Sequence, residues 1–194
     1  MAADVAALVE RCRQGDDLAW ERLVRSCQGR VYALAYHYLG GVEQARDLTQ
    51  EVFVRVYQQL GTYKGDGFMA WLLRITRNLC IDQMRRQRAR PPAEDLVAED
   101  NEWALPDTAP DPEQSWLRDG KKRLVYDALR RLNGPSREMI LLKEIQGLQL
   151  KEIAEMLGVP IGTVKSRSNR ARVELARQVI AIDPSYANQA ESQG

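Results

Sequence analysis

Between residues 94 and 115 the helical pattern that governs the rest of this 194-residue chain collapses, and that break limits the possible folds more than any other feature. The stretch holds Pro106, Pro110 and Pro112. Residues 94–119 hold Glu94, Asp95, Glu99, Asp100, Glu102, Asp107, Asp111, Glu113 and Asp119 against Arg118 alone, a net charge of −8. Prolines without an amide donor and carboxylates that repel one another both oppose a packed helix. Residues 94–115 therefore read as a flexible acidic linker. The chain reads as all-α, two small helical domains joined by that linker. The first domain covers residues 1–93 and the second residues 116–182, and residues 183–194 form a polar tail expected to fray. About 22 extended residues reach roughly 75 Å, so the two domains are free to work apart.

Apolar residues recur at helical spacing in both halves, and nothing alternates as a strand would. Helices are expected over residues 5–14, from an Asp16 N-cap to the Gly40-Gly41 break, and over residues 43–60 and 68–88. A glycine-rich loop separates the last two. Beyond the linker, helices are expected over residues 116–132, 136–146, 150–157 and 161–180.

Composition removes several function classes. No apolar run approaches the roughly 20 residues that span a bilayer, so no membrane insertion is expected. The N-terminus carries acid early and lacks a basic leader, which points to the cytoplasm. Cys12, Cys27 and Cys80 form no CxxC pair and His37 is the only histidine, so no metal site and no cofactor are expected. The cysteines read as small buried apolar residues. No paired His and carboxylate stands out, and the loop from Gly61 to Gly67 lacks the Gly-Lys-Ser/Thr of a phosphate-binding loop, so an enzyme is not expected.

The overall charge of +1 conceals a segregation. Residues 64–93 carry +5 and residues 161–177 carry +4, with the acidic segment between them. Two basic blocks point to two nucleic-acid surfaces. The second block follows a helix-turn-helix pattern. Ile153, Ala154 and Leu157 give a short helix one apolar face, Gly158 permits a tight turn, Val159 plugs the corner and Val164 faces back. Thr163, Lys165, Ser166, Arg167, Asn169 and Arg170 are then left on or near the exposed side, as residue types that read bases and phosphates. Ser168 stands where an apolar anchor is expected, with Ala171 and Leu175 to supply the packing. A helical hairpin with a merely solvated basic face is the plainer alternative.

In the first half, Ala45, Leu48, Val52, Val56 and Leu60 make one apolar stripe, with Asp47, Gln50, Glu51, Val54 and Gln58 away from it. Such an acidic and amide face suits a basic groove on another protein, or is simply solvated. Tyr63, Phe68 and Trp71 adjoin Lys64, Arg74, Arg77 and Asn78. Aromatics interleaved with cations suit single-stranded DNA, by stacking and by charge. Phe68 and Trp71 in the core is the competing reading.

The string IGTVKSRSNRAR resembles the promoter-reading helix of extracytoplasmic-function sigma factors, a branch of the sigma-70 family of bacterial transcription initiation factors. LRRLNGPSREMILLKEIQGLQLKEIAEMLGV resembles the rest of their C-terminal domain. DLTQEVFVRVYQQLGTYKGDGFMAWLLRITRNLCIDQMRRQRARPP resembles their N-terminal domain, and the order along the chain is theirs.

The resemblance implies that Asp47, Gln50, Glu51 and Phe53 dock on the clamp helices of the largest subunit of core RNA polymerase, with Phe53 in the core as the alternative. It implies that the loop with Tyr63 and Lys64, and Phe68, Trp71, Arg74, Arg77, Asn78 and Asp82 after it, capture the unpaired minus-10 element. It assigns minus-35 duplex DNA to the C-terminal helix, and a contact with the flap tip of the second-largest subunit to the start of that domain. An anti-sigma factor is a candidate partner. The linker, by resemblance, threads toward the active-site cleft and RNA exit path, although its charge would equally keep a tether soluble or shield the basic surfaces. Two departures stand out. The loop YKGDGF is one residue short, and Leu72 stands where housekeeping sigma factors have a second tryptophan, implying weaker melting and stricter promoter choice. A helix-turn-helix regulator that is not a polymerase subunit explains the C-terminus equally well but leaves the aromatic, basic stretch and the linker without a role.

Overall fold

A computed structural model describes residues 2–64, 67–89 and 120–187. The linker expectation lies outside the described residues. The chain divides into two compact units with the boundary between Thr108 and Ala109, and each is treated by itself. Among the described residues all regular structure is helical.

The N-terminal unit packs α1 (Ala2–Arg13), α2 (Asp17–Leu39), α3 (Val42–Gln59) and α4 (Phe68–Ala89) around one apolar core. Asp16 fixes the first corner. Its carboxylate accepts from the Ala19 amide at 2.9 Å, capping α2, and binds the Arg11 guanidinium of α1 at 2.6 Å. The Ala19 amide first, and the Arg11 side chain second, hold that carboxyl below the usual range. Gly40 ends α2 in the left-handed region at φ 73°, returning its amide to Tyr36 at 2.9 Å. The expected stripe of α3 is inside, with Ala45, Val52 and Val56 fully buried. The helix stops at Gln59 and Leu60–Thr62 tighten into one 3-10 turn, so the third helix begins and ends one residue earlier than its apolar repeat implied. Cys27 and Cys80 are fully buried, and burial pushes the Cys80 thiol up to about 12 and the Cys27 thiol upward as well. Both therefore act as small apolar groups.

In the C-terminal unit α5 (Gly120–Arg131) leads to α6 (Gly134–Ile140), which continues as one π-helical turn over Leu141–Ile145. The Gln146 amide bonds the Leu141 carbonyl at 2.8 Å, five residues back. Gly147 at φ 71° then lets the Leu148 amide close on Leu142 at 3.0 Å. α7 (Leu150–Leu157) and α8 (Ile161–Ile182) complete the unit. Asn133 caps α6 through the Ser136 amide at 2.9 Å, so this helix begins two residues before the expected start. Glu174 of α8 reaches the same corner and accepts from the Ser136 hydroxyl at 2.6 Å. Arg137 lies half-buried and donates to the carbonyls of Leu129 at 2.9 Å, Arg130 at 2.7 Å and Leu132 at 2.9 Å. A cation thus closes the C-terminal end of α5, where carbonyls lack helical partners.

Of the tail expected to fray, residues 183–187 are ordered, and residues 188–194 lie outside the described residues. Residues 183–187 fold into a turn in which the Ser185 amide bonds the Asp183 carboxylate at 3.0 Å and the Ala187 amide bonds Pro184 at 3.1 Å. Tyr186 is half-buried and lines one mostly apolar cleft together with Ile140, Leu175, Val179 and Ile180, which the polar composition of the tail did not announce.

Candidate nucleic-acid and polymerase interfaces

On α3, the positions of Asp47, Gln50, Glu51, Val54 and Gln58 recur at intervals of three and four, and all five are exposed. Asp47, Gln50 and Glu51 make no side-chain hydrogen bond or ion pair to another described residue, whereas Glu43 at the head of the same helix is held by Arg46 at 2.7 Å. The face is therefore open carboxylate and amide around an apolar centre, with Val54 58% exposed. Phe53 does not share it. It is buried and meets the Trp20 ring edge-on at 6.4 Å, so any part it plays in docking is indirect. Tyr57, which the sequence did not single out, is 61% exposed and packs edge-on against Trp20 at 5.1 Å. Its position three residues after Val54 was the available signal.

The loop and the start of α4 bring Tyr63, Phe68 and Trp71 into one aromatic cluster. Ring centroids are 5.6 Å apart for Tyr63 and Phe68, 5.1 Å for Tyr63 and Trp71, and 5.7 Å for Phe68 and Trp71. Tyr63 and Phe68 are buried, and Trp71 is half-buried. Of the two readings left open for these rings, Phe68 takes the core one, Tyr63 is buried with it, and Trp71 keeps part of its ring at the surface. Each aromatic ring removes a large apolar area from water, and pairing Tyr63 with Phe68 outweighs leaving both exposed. Trp71, Arg74, Arg77, Asn78, Asp82 and Arg85 recur at three- and four-residue steps along one side of α4. Arg74, Asn78 and Asp82 are exposed, Arg77 is half-buried and engaged within the chain, and Asp82 faces Arg85 at 3.6 Å. Lys64 is exposed beside the cluster. Leu72 is fully buried, so the position likened to a second DNA-facing tryptophan points into the core.

In the C-terminal unit Gly158 ends α7 at φ 66°, and the Val159 amide bonds Ala154 at 3.1 Å. The chain turns through Pro160 into α8. Val164, Ser168 and Ala171 are buried and anchor the helix, so Ser168 occupies the anchor position with its small side chain and Leu175 is half-buried behind it. Lys165, Ser166, Arg167, Asn169 and Arg170 are all exposed, and Thr163 is half-buried. Ser166, Asn169 and Arg170 share the outward face, with Lys165 and Arg167 on its flanks. Arg170 donates to the Ser166 hydroxyl at 3.0 Å. A Cβ built on Gly162 would meet nothing within 4 Å, so the outward face is open at its N-terminal end. Arg172 is drawn to the side by Glu144 at 2.7 Å. Glu174, which ties α8 to the corner at Asn133 and Ser136, and Arg137, which closes the end of α5, were invisible in the sequence because their partners lie on other helices.

Two family models match this chain. Sigma-70 region 2 matches residues 23–90 and sigma-70 region 4 matches residues 122–175. The RNA polymerase sigma-H factor of Pseudomonas aeruginosa is 35% identical over 170 residues, covering 85% of this chain and 88% of that protein. The ECF RNA polymerase sigma-E factor of Haemophilus influenzae is 35% identical over 178 residues, covering 89% and 94%. The chain belongs to the extracytoplasmic-function sigma factors. It is therefore a transcription initiation factor, a promoter-directing subunit of RNA polymerase, and not an enzyme. A solved structure of CnrH in complex with the cytosolic domain of CnrY superposes with a TM-score of 0.62 at 23% identity, over 92% of this sigma factor and 98% of that chain, which bears on the fold. A second, the sigma factor RpoE in complex with the anti-sigma factor NepR from Bartonella quintana, has a TM-score of 0.55 at 27% identity, over 83% and 94%. Among the described residues no helix is long and apolar enough to cross a membrane.

Proposed function

We propose that this sigma factor holds core polymerase through α3 and reads a promoter at two separate boxes. Asp47, Gln50 and Glu51 meet the clamp helices of the largest subunit. Trp71, Arg74, Arg77, Asn78 and Asp82, with Lys64 and the buried pair Tyr63 and Phe68 as support, hold the unpaired minus-10 strand. Thr163, Lys165, Ser166, Arg167, Asn169 and Arg170 read the minus-35 duplex, and the start of the C-terminal domain meets the flap tip of the second-largest subunit. The observation that carries this reading is the α3 face: three polar side chains left unpaired around an exposed Val54, on the helix where the family resemblance puts docking. Strand separation then follows from binding the single-stranded state more tightly than the duplex, with no catalytic group required. A chain that works on polymerase and promoter DNA acts in the cytoplasm. The RpoE structure with NepR supports an anti-sigma factor as a further partner.

Full-length chain is expected to co-elute with core polymerase at high salt, and Asp47→Ala with Gln50→Ala to reduce its affinity at least tenfold. Both side chains are exposed, so the helical signal and the unfolding temperature stay unchanged. Normal binding by the double variant would remove α3 as the docking surface, and loss of helical signal would make these residues structural.

A further inference from the structure

Ile161 is the first residue of α8 and is 54% exposed. Lys165 follows one turn later on the same flank and is exposed as well. Beside them, Gly162 leaves the surface open, since a Cβ there would meet nothing within 4 Å. Helix-turn-helix proteins meet base edges with the N-terminal residues of the second helix. In the major groove thymine alone shows a methyl group, and its O4 acceptor lies next to that methyl; cytosine shows an amino donor in the corresponding place and no methyl. An apolar side chain adjoining a cationic donor is the complement of the first pattern, and the donor is repelled by the second.

We infer that Ile161 and Lys165 together read one thymine of the minus-35 element, Ile161 covering the C5-methyl and Lys165 donating to O4. The inference rests on the minus-35 reading of α8 and adds a specificity-determining residue to it. Gly162 allows the helix backbone to come close enough for a side chain at the helix start to touch the base.

The test uses full-length chain bound to core polymerase and a promoter carrying uracil in place of thymine at each minus-35 position in turn. Uracil keeps O4 and removes only the methyl. At one position the wild type is expected to lose about fourfold in affinity, the worth of one buried methyl group. Ile161→Ala is expected to bind the thymine and uracil promoters equally at that position. A wild-type scan with no methyl-dependent position, or a loss that persists in Ile161→Ala, overturns the role of Ile161 while a retained minus-35 preference leaves the broader reading intact. Absence of any minus-35 preference in the wild type overturns both.

Discussion

Arg170→Ala is expected to relax promoter choice at one base pair of the minus-35 box and to weaken use of the preferred promoter by about fivefold to 150-fold, the roughly 1–3 kcal/mol typical of a lost base-reading arginine. Arg170 is exposed on the outward face of α8, and its bond to the Ser166 hydroxyl at 3.0 Å holds the guanidinium along that face before DNA arrives. A pre-set side chain loses less conformational freedom on binding. The fold does not depend on it, because Val164, Ser168 and Ala171 carry the packing of the helix. Replacing Lys165, Ser166, Arg167 and Arg170 together by alanine is expected to abolish minus-35 selection across a promoter library and to flatten the salt dependence of binding as phosphate contacts disappear. Selection unchanged in that quadruple variant would exclude α8 as the reading element.

The second large effect is expected from Arg137→Met, which keeps the volume of the stem and removes the guanidinium. Three carbonyls at the end of α5 then lose their charged donor, two of them part-buried. Hydrogen bonds to charged groups contribute about 1.5–3 kcal/mol each when fully sequestered. Arg137 is only half-buried and solvent replaces part of the loss, so a net cost of about 2–3 kcal/mol to the C-terminal unit is expected. That corresponds to a fall of roughly 10–20 °C in the unfolding of a unit of this size. Burial first, and Arg130 second, lower the Arg137 pKa from its ordinary value, yet an arginine stays charged through neutral pH, so the effect should be nearly flat there. Arg137→Lys is expected to recover less than half, since a single ammonium cannot span the three carbonyls. Urea unfolding that does not distinguish Arg137→Met from the wild type would show that the three bonds do not stabilise the unit.

Local chemistry was readable directly from the sequence. Asp16 caps α2, Gly158 turns between α7 and α8, and Val164 is buried where helix-turn-helix spacing required it, because each of these depends on neighbours a few residues away. Features settled by other helices were not readable. Nothing in the string around residue 140 announces the π turn, in which Leu141 and Leu142 are both fully buried. Arg137 resembles any surface arginine until α5 is placed beside it. Tyr63, Phe68 and Trp71 could have faced DNA or the core, and packing divides them, two inward and one at the edge. The same ambiguity affected Phe53, which Trp20 draws inward, and Tyr57, which the same tryptophan supports at the surface.

The most direct test of the central claim is run-off transcription by core polymerase from a randomised promoter library, with and without the full-length chain. Transcripts that appear only with the chain, and whose templates share one minus-10 and one minus-35 box at fixed spacing, are the expected result. Equal transcription without the chain, or selected templates with no second box, would contradict it.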